Sequence, residues 1–241
     1  MGFELPGVLF TRSSEENTAA ISRVEKLNFN AYSAPMLYYK DVDPYPISHK
    51  NHIIITSKYA AKIIAVKHSS HAECWVVGKE SAKILERNPY LKITGISKNL
   101  KELLSVIKFI PEEEMGEFFE NSLYLSGNII TEELPKFIER HVIYETCYTK
   151  ELPQNVIETI QNYQIQYIMV YSKNCAVNLI SLLTSYNLLP YIRASVVMAL
   201  SQKIASIFDG LVVDTIYSHS ANFEDTLKLL VQYEKARAEK N

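Results

Sequence analysis

The 241-residue chain is 47% hydrophobic and 22% charged, with a net charge of −2, a globular composition able to bury one large or two modest cores. Near-neutral charge excludes a whole-protein field that draws in nucleic acid, so any basic site for an acidic ligand must be local. With seven glycines and neither GxGxxG nor GxxxxGKS/T in the chain, glycine-rich phosphate loops are excluded too.

In chain order, "GVLFT" reads as a strand leading into a helix over "SSEENTAAISRVEKLN". Ser13 and Ser14 are candidate N-caps there, and Glu16 fits a capping box. "APMLYYKDVDPYP" (34–46) is extended and ends in a proline-rich turn. "HIIIT" then leads into the helix pattern "SKYAAKIIAVK", and "CWVVG" into "KESAKILERN". "FIPEEEMGEFFENS" reads as an acidic loop or short helix on a solvated surface. "SLYLS" leads into a helix expected from about Ile130 to Arg140. "RHVIYETCYTKELP" (140–153) alternates like a strand. "YIMVYS" leads into "KNCAVNLISLLTSYN", and "ASVVMA" into "LSQKIASIFD". Strands alternating with helices imply an α/β fold with parallel sheets flanked by helices.

The second half repeats the first. "ITSKYAAKII" aligns with "VYSKNCAVNL" at an offset of 170 − 55 = 115. "VVGKESAKIL" aligns with "VVMALSQKIA" at 196 − 76 = 120, and "SKNLKELLSVI" with "SANFEDTLKLL" at 220 − 97 = 123. Three ordered matches with slowly growing offsets favour duplication over the generic likeness of any two strand–helix halves.

In open parallel sheets, ligands bind beyond the carboxyl ends of the strands, where helix N-termini offer free N–H groups to anions. The polar residues after each apolar strand are therefore the candidates: Thr11 and Arg12; Thr56, Ser57 and Lys58; Ser81; Ser126, Gly127 and Asn128; Ser172, Lys173 and Asn174; and Ser201. Any single Ser or Thr among them is most simply a helix cap; their recurrence in both halves carries the functional reading. The six histidines show no metal spacing, and His68 with His71 reads as a surface pair. No GxSxG elbow or cysteine nucleophile setting is present. Cys74, Cys147 and Cys175 are odd in number and read as reduced thiols of a cytoplasmic protein. The first residues lack a secretory pattern, and the longest apolar run is too short and polar to span a bilayer.

The ordered motifs "VLFTRSS", "IIITSKYAAKII", "VVGKESAKIL", "LYLSGNIITEEL", "VIYETCY", "MVYSKNCAVNL" and "VVMALSQKIA" resemble the uroporphyrinogen-III synthase family over nearly the whole chain. Its pattern runs VLxTR, FTSxNAV, VGxxTAxxL, LxxxGxxR, VYxT, FTSxxxV and IGxxTAxAL. Three departures stand out. Met198 replaces a glycine and Ser201 a threonine in the last motif; no arginine follows Gly127 in "GNII"; and Lys58-Tyr59 stands where the family has its asparagine.

The resemblance implies two α/β domains joined by a two-stranded β-ladder: 1–36 plus 149–241, and 40–145, with connecting strands at 36–40 and 142–149. It implies a cofactor-free lyase of heme biosynthesis that cyclises hydroxymethylbilane to uroporphyrinogen III. Ring A loses its hydroxyl to give an azafulvene, the substituted position of ring D attacks, and the spiro intermediate reopens and recloses with ring D inverted. An interdomain cleft lined by the two repeats would hold this octa-acid. Tyr144, matching the family's "VY" tyrosine, would assist departure of the hydroxyl. Strand alternation places Tyr144 on the face of Val142 and Thr146, opposite Ile143 and Glu145. A cytoplasmic monomer acting on this small molecule, without nucleic acid or membrane, is expected. The alternative is a non-catalytic two-domain α/β protein binding an anionic small molecule in that cleft.

Overall fold

Apolar runs without alternation become strands of parallel sheets covered on both faces, because each side chain of such a run needs an apolar neighbour. The computed structural model describes residues 5–43, 50–107, 112–130, 134–136, 138–220 and 222–239. In chain order its elements begin with β1 (Gly7–Phe10), α1 (Ser14–Val24), β2 (Asn30–Ser33), β3 (Leu37–Asp41), β4 (His52–Ile55), α2 (Lys58–Lys67), β5 (Ala72–Val77), α3 (Lys79–Leu85), β6 (Leu91–Ser97) and α4 (Leu100–Ile107). They continue with α5 (Glu112–Glu120), β7 (Ser122–Gly127), β8 (Glu139–Tyr148), α6 (Gln154–Gln161), β9 (Tyr167–Val170), α7 (Lys173–Ser185), β10 (Val196–Ala199), α8 (Gln202–Ala205), β11 (Asp214–Tyr217) and α9 (Phe223–Ala238).

The chain divides into two compact units, Met1–Tyr38 with Cys147–Asn241, and Tyr39–Thr146. The first holds a five-stranded sheet of order β11-β10-β9-β1-β2, in which every pairing is parallel. Leu9, Ile168 and Val197 look to one core with Leu179 and Leu183 of α7. Val8, Phe10, Tyr167, Met169 and Met198 fill the other with Val24 of α1 and Leu227 and Leu230 of α9.

The second unit carries a sheet of order β3-β8-β7-β4-β5-β6. Strands β8, β7, β4, β5 and β6 run parallel. β3 runs antiparallel to β8, as the bonds from Val42 N–H to the Ile143 carbonyl and from Thr149 N–H to the Met36 carbonyl require. Both strands continue across the unit boundary in the chain. Ile53, Ile55, Cys74 and Val76 pack with α2 and α3, whereas Ile54, Trp75 and Tyr124 pack with Leu103 of α4 and Phe118 of α5.

The repeat has a physical signature at the helix starts. Ser57 and Ser172 are both extended, and their hydroxyls accept from Ala60 N–H and Cys175 N–H, the usual N-cap geometry. Asn99 and Asn222 likewise accept from Glu102 N–H and Asp225 N–H. These pairs sit at the offsets of 115 and 123 found in the sequence. The middle pair does not superpose at 120. The strand ends Val77 and Ala199 differ by 199 − 77 = 122, and the helix starts Lys79 and Gln202 by 202 − 79 = 123. Ser81 therefore lies inside the first turn of α3, whereas Ser201 stands just before α8.

Two local expectations change. No helix forms over 134–136 or at Ile138, and Glu139 and Arg140 already belong to β8; Pro135 cannot sit inside a continuous helix without losing a hydrogen bond. Residues 131–133 and 137, with 44–46 of the extended stretch, lie outside the described residues. Strict alternation also fails at Tyr144. The β7–β8 register shifts so that Ser126 faces Val142 but Gly127 faces Tyr144. The extra residue on β8 makes a bulge, which re-aims side chains. Ile143 and Tyr144 are consequently both buried, within one cluster.

Gly127 is a requirement of that bulge. A Cβ on it would lie 2.5 Å from Tyr144 Cζ, 2.6 Å from Cε2 and 2.8 Å from the hydroxyl. Gly127→Ala is expected to destabilise the protein by about 1–3 kcal/mol, the range for forced overpacking. Denaturant unfolding checks this, and in a Tyr144→Ala background the same change should cost less than about 0.5 kcal/mol because the overlap is gone.

Candidate functional site

In the second unit, the carboxyl ends of β4 and β7 and the bulge of β8 meet at the start of α2. Ile55 ends a buried strand, the polar Thr56 and Ser57 break the apolar run, and Ser57 caps α2. Tyr144 O–H donates to Ser57 Oγ at 3.0 Å, and Ala60 N–H donates to the same oxygen at 3.0 Å. A serine hydroxyl has two lone pairs and one proton. Both lone pairs are engaged, so the Ser57 proton remains available to donate. Thr56 Oγ1 lies 2.8 Å from the Tyr124 hydroxyl. Lys58 is exposed on the first turn of α2.

The Tyr144 ring is held on several sides. It lies against Gly127 and meets Tyr39 and Tyr59 edge-on, at centroid distances of 5.5 and 5.0 Å. Tyr39 and Tyr59 stack on each other at 4.3 Å, and the Tyr59 hydroxyl donates to Asp41. Burial raises the Tyr144 pKa above the ordinary tyrosine value; the Ser57 bond opposes that shift and neighbouring Tyr124 adds to it. Tyr144 is therefore a neutral phenol at physiological pH. Asn128 is tied to β8, its N–H bonding the Tyr144 carbonyl and its Oδ1 accepting from Thr146 N–H. Ser81 is buried in α3, beyond the end of the adjacent strand β5.

In the first unit the ends of β1 and β9 meet the start of α7. Thr11 is fully buried, and its hydroxyl donates to the Met169 carbonyl at 2.7 Å. Arg12 lies over the Tyr171 ring, 4.6 Å from its centroid, and pairs with Glu16 at 3.2 Å. Buried Asn17 fixes this turn by accepting from Arg12 N–H and donating to the Phe10 carbonyl and Ser33. Tyr171 has a buried hydroxyl with no hydrogen-bond partner among the described residues. Burial pushes its pKa up, and Arg12 opposes the rise. Ser172 caps α7; Lys173 and Asn174 are exposed beside it, and Asn174 donates to the Tyr148 hydroxyl at 2.8 Å. Ser201 is half-buried ahead of the short α8.

Thus Thr56, Ser57, Gly127, Asn128 and Tyr144 come together in one unit, and Arg12, Ser172, Lys173 and Asn174 in the other. Sequence reasoning missed Tyr39, Tyr59, Tyr124, Tyr148, Tyr171 and Arg140. Among sixteen tyrosines only contacts distinguish them, although Tyr59 occupies a position where the family pattern has asparagine. Burial pushes the Cys74 thiol up to about 12 and raises Cys175 as well, so neither is a nucleophile at neutral pH. Among the described residues no group of three or more His, Cys, Asp or Glu is placed to hold a metal ion. No described helix is long and apolar enough to cross a membrane.

A family model described as Uroporphyrinogen-III synthase HemD matches residues 19–224. A Rickettsia prowazekii (strain Madrid E) relative, Uncharacterized protein RP474, is 28% identical over 97% of this chain and 100% of its own length. Among solved structures, uroporphyrinogen-III synthetase from Helicobacter pylori 26695 aligns with a TM-score of 0.58 at 13% identity, covering 95% of this chain and 100% of that one. That structure shares the fold. The family match extends over most of the chain and contains the Ser57–Tyr144 site, and the chain belongs to the uroporphyrinogen-III synthase family.

Proposed function

We propose that Ser57 and Tyr144 form the proton-donating centre of a uroporphyrinogen-III synthase. As a member of this family, the chain is a cyclising lyase that converts hydroxymethylbilane to uroporphyrinogen III with inversion of ring D and loss of water. The observation that carries the residue assignment is the bond from Tyr144 O–H to Ser57 Oγ at 3.0 Å, which with the Ala60 N–H leaves the Ser57 proton to be donated. Ser57 protonates the departing ring A hydroxyl, the carbon–oxygen bond breaks, and Tyr144 replaces the proton on Ser57. Water leaves and the protonated azafulvene remains, its positive charge balanced by the Tyr144 phenolate. After ring D closes in its inverted sense, its free α-carbon gives up a proton and the Tyr144–Ser57 pair recovers the one it lent. The raised pKa of Tyr144 suits that return, because a phenolate formed there binds a proton strongly.

Everything else in this reading is positioning. Hydroxymethylbilane closes unaided to the uninverted isomer, so selectivity comes from the conformation in which the chain is held. We assign an anion-binding place to each unit by itself, the helix start at Thr56–Lys58 with Lys58 in the second and the helix start at Ser172–Asn174 with Arg12 and Lys173 in the first; helix N-termini favour anions. Gly127 and Asn128 shape the turn beneath Tyr144, and Thr11, Ser81 and Ser201 border the strand ends. The reading further has a cytoplasmic monomer working on this small molecule alone, without nucleic acid or membrane. In its favour are the net charge of −2 and the lack, among the described residues, of a helix able to cross a membrane.

Tyr144→Phe keeps the ring on Gly127 and removes the donor. Turnover to uroporphyrinogen III is expected to fall at least about tenfold, since positioned acid catalysis contributes roughly a hundredfold or more. Unfolding free energy should change by less than about 1 kcal/mol, because only one partly buried bond is lost. Ordinary turnover in a folded Tyr144→Phe protein would remove Tyr144 from the chemistry.

The same group makes a prediction about pH. The folded protein holds the Tyr144 proton more tightly than the unfolded chain does. Its contribution to stability is therefore fully present below the ordinary value of 10.0 and is lost as pH rises through the folded value. The difference in tyrosinate absorbance between the wild-type chain and Tyr144→Phe should titrate above 10.0. Titration at or below that value contradicts the burial described for this hydroxyl.

A further inference from the structure

Arg140 stands on β8, four residues before Tyr144. Its guanidinium reaches across to the end of β7 and makes three bonds there. Nε donates to Ser126 Oγ at 2.8 Å, and Nη2 donates to the carbonyls of Gly127 at 2.6 Å and Asn128 at 3.2 Å. The Ser126 hydroxyl is itself buried and donates to the Gly127 carbonyl. From beyond Tyr144 the same turn is held by Asn128 N–H on the Tyr144 carbonyl and Asn128 Oδ1 on Thr146 N–H. The three residues 126–128 are thus fastened to β8 on both sides of Tyr144, and their middle member carries the tyrosine ring.

We propose that Arg140 is a positioning residue for the reaction: its guanidinium sets the turn at Gly127, and through it the aim of the Tyr144 hydroxyl. This rests on the assignment of Tyr144 as proton donor. The chemistry of the side chain fits the task. One rigid planar fork meets a hydroxyl and two carbonyls together, whereas an ammonium is a point donor on a flexible stem. A displacement of the order of 1 Å at a reacting group can cost about a hundredfold in rate, so a turn held by three bonds can govern turnover without touching the substrate.

Four proteins test it: Arg140→Met, Arg140→Lys, Tyr144→Phe and the double variant Arg140→Met/Tyr144→Phe. Each is assayed for kcat and KM of uroporphyrinogen III formation from hydroxymethylbilane. Arg140→Met is expected to lower kcat about tenfold with KM within roughly twofold, the pattern of an effect confined to the transition state. Arg140→Lys should recover less than half of that loss on a logarithmic scale. The double variant should be no slower than Tyr144→Phe within about twofold, because a residue acting only through Tyr144 has nothing left to position. Should Arg140→Met fail to fold, Ser126→Ala, which removes one bond of the clamp, is put through the same cycle with about a threefold loss expected. A rise in KM at unchanged kcat overturns the proposal. So do losses that multiply in the double variant while Tyr144→Phe alone is slow; that result leaves the Tyr144 assignment standing. Ordinary turnover in Tyr144→Phe overturns both.

Discussion

The approach of the Tyr144 ring to the Gly127 backbone organises the second unit around its strand ends. The contact exists only because position 127 has no side chain and because β8 takes an extra residue opposite the end of β7. The bulge puts Ile143 and Tyr144 into the core together, and the hydroxyl then falls on the oxygen that caps α2. A buried phenol, a cap and a bulge are ordinary structural devices; here each fixes the direction of the Tyr144 hydroxyl. Its neighbours are chiefly aromatic rings and hydroxyls, so the Tyr144 proton is held by burial and not by a charged partner.

The two halves solve one local problem in the same way. A strand ends, buried before Ser57 and Ser172, the chain turns, and a serine or asparagine accepts a free N–H group of the next helix. In the first unit Arg12, which follows β1, is already engaged, lying over Tyr171 next to the Ser172 cap and paired to Glu16. An acidic ligand must therefore compete with an i,i+4 ion pair between half-exposed side chains, an interaction worth only a few tenths of a kcal/mol. In the second unit the turn at Thr56 and Ser57 is surrounded by hydroxyls and aromatic rings, and Lys58 stands exposed at the place that Lys173 holds in the first. The repeat has thus kept its serine cap and the exposed lysine after it, while the neighbours differ: Tyr144 bonds the Ser57 hydroxyl in one copy, and Tyr148 accepts from Asn174 in the other.

Much of this was legible in the sequence. Ile53-Ile54-Ile55 and Tyr167–Val170 read as buried strands because parallel sheets covered on both faces demand uninterrupted apolar runs. The caps at Ser57 and Ser172 were legible because a serine after an apolar strand commonly does that job; Ser13 precedes α1 but makes no side-chain cap bond, its hydroxyl donating to Glu16 instead. The α/β class and the family followed from the order of these units. The bulge was not legible, since alternation assumes an unbroken register, and it is the bulge that makes Tyr144 a neighbour of Ile143. The absence of helix among the described residues 134–136 and 138–140 was betrayed by Pro135, whose effect outweighed the surrounding pattern. The contacts of Arg140 stayed hidden because two of its three bonds go to carbonyls, which every residue has. Tyr59 and Tyr39 were invisible as a stacked pair until β3 and α2 were brought together.

The account rests on chemistry that discriminates between two closures of one molecule. Hydroxymethylbilane incubated with the purified chain, with the products separated by isomer, tests it most directly. Uroporphyrinogen III is expected as the main product, formed at a rate proportional to protein concentration. Uroporphyrinogen I alone, appearing at the rate of the unaided reaction, would contradict it.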